Sequence, residues 1–403
     1  MKNPWKYISY GVTAALIVAM AAATFVEKFK GTEVALQSIY HSPWFIGLWA
    51  VLAVCGLVWL VKRKVQKHVF TFAFHIALVV ILAGAMVTHL SGESGQIHLI
   101  QDKENARFET DEGNEVSLPF SLRLEKFTIL YHPDGKHPSD YQSLVTILPE
   151  GREELISMNH ILKYKGYRFY QADYDQDLSG SILAVSRDPW GIAITYTGYI
   201  LLLISMLGFF FQRGSAFKAA VHRLTDGLTP GKKRLVALIP IVFVCLIPAF
   251  WFLLTGTIGK HWKMIPVLAT PLLPVHVLSM MLSYTLLLAT AVIGIIGLLA
   301  NNKKKYVDVS LMTLYPAVFL LAFGIFIGAV WANISWGNYW GWDPKETWAL
   351  ITLLVYSFAI HGNAMGLFKK PWQYHLFVIL AIFAVVITYF GVNLILGGIH
   401  SYA

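Results

Sequence analysis

The chain has 403 residues, 56% hydrophobic and only 14% charged, with a net charge of +9. Soluble globular domains carry about 25% charged residues, so an ordinary soluble enzyme is excluded, as are disordered and collagen-like chains. The two cysteines, Cys55 and Cys245, lie in separate apolar runs and form no CxxC pair or disulfide framework, which leaves 14 histidines and 13 tryptophans as the conspicuous chemistry.

Nine apolar runs reach the roughly 20 residues needed to cross a bilayer. The first three are 7–26, 43–61 and 69–90. Ala21, Ala22 and Ala23 resemble a signal cleavage region. The apolar core before them exceeds the usual length of about 7–15 residues, which predicts an uncleaved anchor.

Residues 91–188 are the only sizeable polar stretch and hold 17 acidic against 10 basic residues. Segment 116–131 alternates around Leu122, Leu124 and Phe127, and 141–148, 166–173 and 181–186 read as further strands between Pro, Gly and Asp turns. A small β-sandwich or partial barrel is expected. His98, His132, His137 and His160 read as its surface residues.

A fourth span, 189–211, leads into a basic linker at 213–234. Spans at 235–255, 276–300, 309–331, 347–366 and 374–397 follow. The fold class is therefore a polytopic α-helical membrane protein. It has about nine transmembrane helices and a small external β-rich domain between the third and fourth.

Lys and Arg are enriched in cytoplasmic loops. With the N-terminus inside, the inner segments carry 17 Lys or Arg and the short outer ones five. The C-terminus and residues 91–188 then lie outside. The basic charge reads as topology, with no nucleic-acid partner implied.

The densest local signal precedes the eighth span: Trp336-Gly337-Asn338-Tyr339-Trp340-Gly341-Trp342-Asp343-Pro344-Lys345-Glu346-Thr347-Trp348. Tryptophan and tyrosine often mark the membrane interface, but belt residues need no glycine spacing. Gly337 and Gly341 allow tight turns and close approach of a flat ligand to the indoles. A planar-ligand site is the preferred reading. Asp343, Pro344 and Glu346 fit the N-cap, N1 and N3 positions of a helix start, which accounts for them without acid–base catalysis.

Ionisable residues inside spans are costly and face a bundle interior or cavity. His75 in the third span and His361 in the eighth lie at similar depth toward the inner side. They are either two axial ligands of one haem iron or unrelated histidines bonded to neighbours. His276 opens the sixth span and His400 follows the ninth, both on the side of the tryptophan loop; His89 competes for that role. His41, His68, His222, His261 and His375 read as headgroup residues.

The stretch WGNYWGWDPKETWALITLLVYSFAIH resembles the WWD signature and following helix of haem-handling cytochrome c biogenesis proteins. TYFGVNLILGGIHSYA resembles the C-terminus of the CcsA (ResC) branch, and the first four spans with their outside region are similar to CcsB (ResB). The whole resembles a fused CcsB–CcsA (ResB–ResC), the System II cytochrome c synthetase. The resemblance implies a CcsB-like part at 1–212, a linker at 213–234 and a CcsA-like part at 235–403 with its WWD loop at 331–348. It implies His75 and His361 as in-membrane haem ligands and His276 and His400 as external ones. Trp336, Gly337, Tyr339, Trp340, Trp342 and Asp343 would line the external haem site.

The implied cofactor is haem b, as substrate and bound ligand. The implied partners are an apocytochrome c bearing CxxCH, a thiol reductant pathway and the lipid bilayer. The implied reaction is thioether formation between the CxxCH thiols and the haem vinyl groups, with no certain catalytic side chain. The implied location is a bacterial cytoplasmic membrane. A haem transporter or maturation subunit without ligation activity is the alternative. The chain departs from longer fused members in its small external region and its five CcsA-like spans.

Overall fold

The computed structural model describes residues 4–232, 266–268 and 270–396. The expected span at 235–255, Cys245, His261 and His400 lie outside the described residues.

The apolar runs form helices close to the expected bounds. They are α1 (Pro4–Lys30), α3 (Pro43–Lys62), α4 (Val69–Ser91), α5 (Pro189–Phe211), α7 (Leu272–Leu299), α8 (Lys303–Trp336), α9 (Pro344–Met365) and α10 (Pro371–Val386). A short α2 (Thr32–Ala35) follows α1, and α6 (Ala216–Thr225) lies in the basic linker. The chain of α10 continues as a wider π-type turn, Ile387–Leu396. Among the described residues, seven helices are long and apolar enough to cross a membrane. α9 is a further helix on the expected eighth run.

Local chemistry sets several of the starts. Ser42 caps α3 by accepting from the Phe45 amide at 3.4 Å, with Pro43 at the first position. Asp188 caps α5 by accepting from the Gly191 amide at 2.8 Å, with Pro189 following. Such caps satisfy amides that have no partner within the helix. Helices α4 and α5 approach closely at Gly84, where an added Cβ would lie 2.7 Å from the Thr195 amide nitrogen. Small residues at helix contacts permit this packing in membranes.

The 34-residue α8 is about 50 Å long at 1.5 Å per residue, well beyond the roughly 30 Å hydrocarbon core of a bilayer. Its last turns therefore reach the β domain. At its other end, Asp308 accepts three hydrogen bonds from Arg223 of α6, at 2.7, 3.0 and 3.1 Å. That pair ties the amphipathic linker helix to α8.

Residues 93–187 form one eight-stranded antiparallel sheet. Its strands are β1 (Glu93–Ile100), β2 (Glu104–Thr110), β3 (Glu115–Tyr131), β4 (Pro138–Leu148), β5 (Arg152–Ser157), β6 (Leu162–Tyr164), β7 (Tyr167–Tyr174) and β8 (Gly180–Arg187), in spatial order 5-4-3-2-1-8-7-6. The four expected strands are β3, β4, β7 and β8. The sheet curls on itself: Ser143 of β4 bonds Gln171 of β7 at 2.6 Å and Ser181 of β8 at 2.7 Å. Every strand sends side chains into one core, among them Leu99, Phe108, Leu122, Ile147, Ile156, Leu162, Phe169 and Val185. His98 faces Asp175 at 2.9 Å and His137 faces Asp134 at 2.7 Å, both exposed.

Candidate haem-handling site

His75 lies in the second turn of α4 and His361 near the end of α9. The structure brings them together, with ring centres 5.9 Å apart and planes at 78°. His75 Nδ1 pairs with the Thr71 carbonyl at 2.7 Å, and His361 Nδ1 with the Ser357 carbonyl at 2.8 Å. A carbonyl only accepts, so each Nδ1 carries the proton and each Nε2 presents a lone pair. Metal-ligating histidines commonly use this arrangement. With metal–imidazole bonds of about 2 Å, two rings on opposite faces of one iron have centres about 6 Å apart. The pair therefore fits one haem iron.

His276 is likewise held through one ring nitrogen. Its Nδ1 pairs with the Gly324 carbonyl of α8 at 2.7 Å, and its ring lies 6.5 Å from that of Trp331. Gly328 makes room for it: a Cβ there would fall 2.7 Å from His276 Nδ1.

His375 departs from the headgroup expectation. It is fully buried, and its Nε2 pairs with the Lys303 carbonyl at 2.9 Å. Gly297 admits the ring, since a Cβ there would lie 2.4 Å from His375 Cε1. It ties α10 to α7 and α8.

The tryptophan segment is shorter as a loop than 331–348 implies. Helix α8 runs through Trp336 and stops at Gly337, whose φ of +85° is the left-handed conformation of a helix C-cap. The non-helical part is 337–343. Asp343 then caps α9, its Oδ1 accepting from the Lys345 amide at 2.8 Å. Glu346 reaches back to the Gly341 amide at 2.9 Å, two residues before the capping-box position. Both carboxylates thus serve the turn.

The loop is anchored from four sides. Trp342 stacks on Tyr40 with centres 4.5 Å apart and planes at 13°. Its edge meets Trp340 at 5.7 Å and Phe45 at 5.4 Å. Trp336 packs on Trp331 at 5.1 Å, and Trp348 Nε1 donates to Thr24 of α1 at 3.2 Å. Burial keeps the Tyr339 hydroxyl above its ordinary pKa and therefore protonated. It lies 2.6 Å from Thr88 Oγ1, which donates to Asp188 at 2.6 Å. The close approach allowed by Gly337 is taken by a protein ring: a Cβ there would fall 2.7 Å from Tyr170 Cε2 of β7.

Sequence reasoning missed the residue that joins loop and sheet. Asn333, 1% exposed, accepts from Arg168 of β7 at 3.0 Å and from Tyr196 at 2.8 Å. It donates to the Gly337 carbonyl at 3.1 Å. A buried amide in the last turns of an apolar helix was the available signal. Beside it opens a cavity of about 560 Å³ between β5–β7 and the ends of α5 and α8, lined by Arg152, Lys163, Arg168 and Asn333 among others.

A helix bundle with a curled sheet seated on one end, and an indole-rich loop clamped beneath it, defines a polytopic membrane protein built from two helical parts. Comparison with known proteins specifies both. Residues 60–188 match the ResB-like family and residues 200–400 match the cytochrome c assembly protein family. The chain belongs to the fused CcsB–CcsA (ResB–ResC) family of cytochrome c biogenesis proteins. Protein NrfI of Wolinella succinogenes is 36% identical over 329 residues, covering 55% of this chain and 36% of that protein. CcsA of Trichodesmium erythraeum is 55% identical over 86 residues, covering 21% of this chain and 23% of its own length. CcsA of Chlamydomonas reinhardtii is 36% identical over 154 residues, covering 34% and 42%. The chain thus spans less than half the length of each of these relatives.

Proposed function

We propose that this chain carries haem b across a bacterial cytoplasmic membrane and attaches it to an apocytochrome c. The N-terminus is cytoplasmic, and residues 91–188 and the C-terminus are external. Haem entering from the inner side is held by His75 and His361. At the outer side it is held by His276 and His400 over the loop that contains Trp336, Gly337, Tyr339, Trp340, Trp342 and Asp343. The observation that carries this reading is the His75–His361 pair, 5.9 Å apart with both Nδ1 atoms committed to backbone carbonyls.

The bond-forming step adds the S–H of each CxxCH cysteine across a haem vinyl double bond. It needs no external oxidant, only thiols kept reduced, hence the thiol reductant partner. The thiolate is the effective nucleophile. The chain's only described cysteine, Cys55, is buried in α3, so the attacking sulfurs come from the substrate. The protein's contribution is position: rigid indoles orient the macrocycle, and the histidines fix the iron. The segments 1–212, 213–234 and 235–403 are the corresponding functional parts.

Co-expression with a CxxCH apocytochrome in a host lacking its own cytochrome c maturation tests the reading. Haem that stays on the apocytochrome through a denaturing gel is the expected result. Haem that co-purifies with this chain but never becomes covalent would replace ligation with transport alone.

A further inference from the structure

A second histidine pair stands at the loop end of the bundle. His41 sits where the π-type turn Leu36–Tyr40 hands over to α3, and His89 in the last turn of α4. Their ring centres are 5.6 Å apart and their planes lie at 48°. That spacing is close to the 5.9 Å of His75 and His361, and it suits two metal–imidazole bonds of about 2 Å each. Both residues are exposed, and no hydrogen bond to either ring is found among the described residues.

The backbone around both is held. The His41 amide bonds the Leu36 carbonyl at 2.8 Å, and Gly92 closes α4 by bonding the Thr88 carbonyl at 2.8 Å.

The neighbours of the pair in sequence contact the tryptophan loop. Tyr40, next to His41, carries the stacked Trp342. Thr88, next to His89, bonds Tyr339. His89 follows His75 on α4 by fourteen residues, which is about 21 Å of rise and nearly four turns, so the two lie on close to the same face.

A bare zinc-type ion wants about four protein ligands, and among the described residues no third His, Cys, Asp or Glu joins this pair. A haem supplies four equatorial nitrogens itself and needs only two axial ones. Trp44, Met86 and Leu90, all within three positions of the pair in sequence, are exposed apolar residues of the kind a macrocycle would cover.

We propose that His41 and His89 are the axial ligands of a further haem site, staging haem between the in-membrane pair and the tryptophan loop. This rests on the haem-handling reading above. The experiment is titration of the purified full-length chain with haemin in detergent, counting low-spin haem per chain. The chains compared are the unsubstituted protein, His41→Ala with His89→Ala, and His75→Ala with His361→Ala. Loss of one equivalent in the first variant, with the equivalent on His75 and His361 retained, is expected. His89→Met should keep the equivalent but convert its spectrum to histidine–methionine ligation, a signature that misfolding cannot produce. An unchanged count in the first variant, or an unchanged spectrum in His89→Met, overturns the proposal. So does a pair that takes up zinc but no haemin. A loss confined to the His75 and His361 variant overturns this site and leaves the haem-handling reading standing. A loss confined to the His41 and His89 variant supports this site and removes His75 and His361 as the ligands of the in-membrane haem.

Discussion

Asn333→Ala removes one of the points where the sheet holds the end of α8 and the loop. Three hydrogen bonds disappear: those from Arg168 and Tyr196, and that to the Gly337 carbonyl. Neutral bonds contribute about 0.5–1.5 kcal/mol each and charged ones about 1.5–3. Arg168 also lines the 560 Å³ cavity, so its guanidinium can rehydrate, which discounts the charged bond. The net expectation is about 2–3 kcal/mol. Asn333→Asp keeps an acceptor for Arg168 and Tyr196 and loses only the donation to Gly337, so it should cost at least about 1 kcal/mol less. Thermal unfolding of the detergent-purified chain, followed by tryptophan emission, reads both variants. An alanine variant within about 0.5 kcal/mol of the parent, or an aspartate variant as damaged as the alanine one, would refute the reasoning.

Three further outcomes follow from the same geometry. Gly297→Ala drives a methyl into the His375 ring and should cost about 1–3 kcal/mol as overpacking, measured as a lower unfolding temperature with haem content unchanged. Trp342→Leu removes the stack on Tyr40, about 0.5–1.5 kcal/mol beyond lost area, and should make the 337–343 loop cleavable by protease before the bundle unfolds. In the sheet, the Thr146 hydroxyl and then Arg123 hold the Glu125 carboxyl below its ordinary value of 4.5. The folded state thus binds its proton less readily than the unfolded one. That contribution is present above pH 4.5 and lost as pH falls through the lower folded value. Glu125→Gln should flatten the acid limb of the sheet's unfolding curve by circular dichroism; an unchanged limb would remove Glu125 as its source.

Much of this molecule is written locally. Among the described residues, runs of apolar residues marked the bounds of α1, α3, α4, α5, α7 and α9 closely, because a bilayer-length helix satisfies its own backbone. Asp343 and Pro344 announced the start of α9 through capping chemistry. Strands β3, β4, β7 and β8 alternate cleanly. β1, β2, β5 and β6 were missed because they send few apolar side chains inward, Ile97 and Leu99, Phe108, Ile156 and Leu162, too few to mark a period. The reach of α8 to Trp336 was also hidden, since Asn333 and Ser335 interrupt the apolar run while being buried against the sheet.

Which histidines meet is a property of packing between distant segments. Depth along a helix placed His75 and His361 at one level but could not say that they face each other. The same depth argument put His375 among the headgroups, where Gly297 instead admits it to the interior. His41 read as a headgroup residue and His89 as an outer-edge candidate, and the turn before α3 brings the two rings within 5.6 Å.

Whether His75 and His361 hold one haem between them decides how this chain would carry haem. Purified full-length chains carrying His75→Ala, His361→Ala or His375→Ala should be compared by haem content and low-spin absorbance. The first two should each lose one haem equivalent, and His375→Ala, whose Nε2 is already committed to a carbonyl, should keep it. Full retention of the low-spin haem in both His75→Ala and His361→Ala would contradict the account.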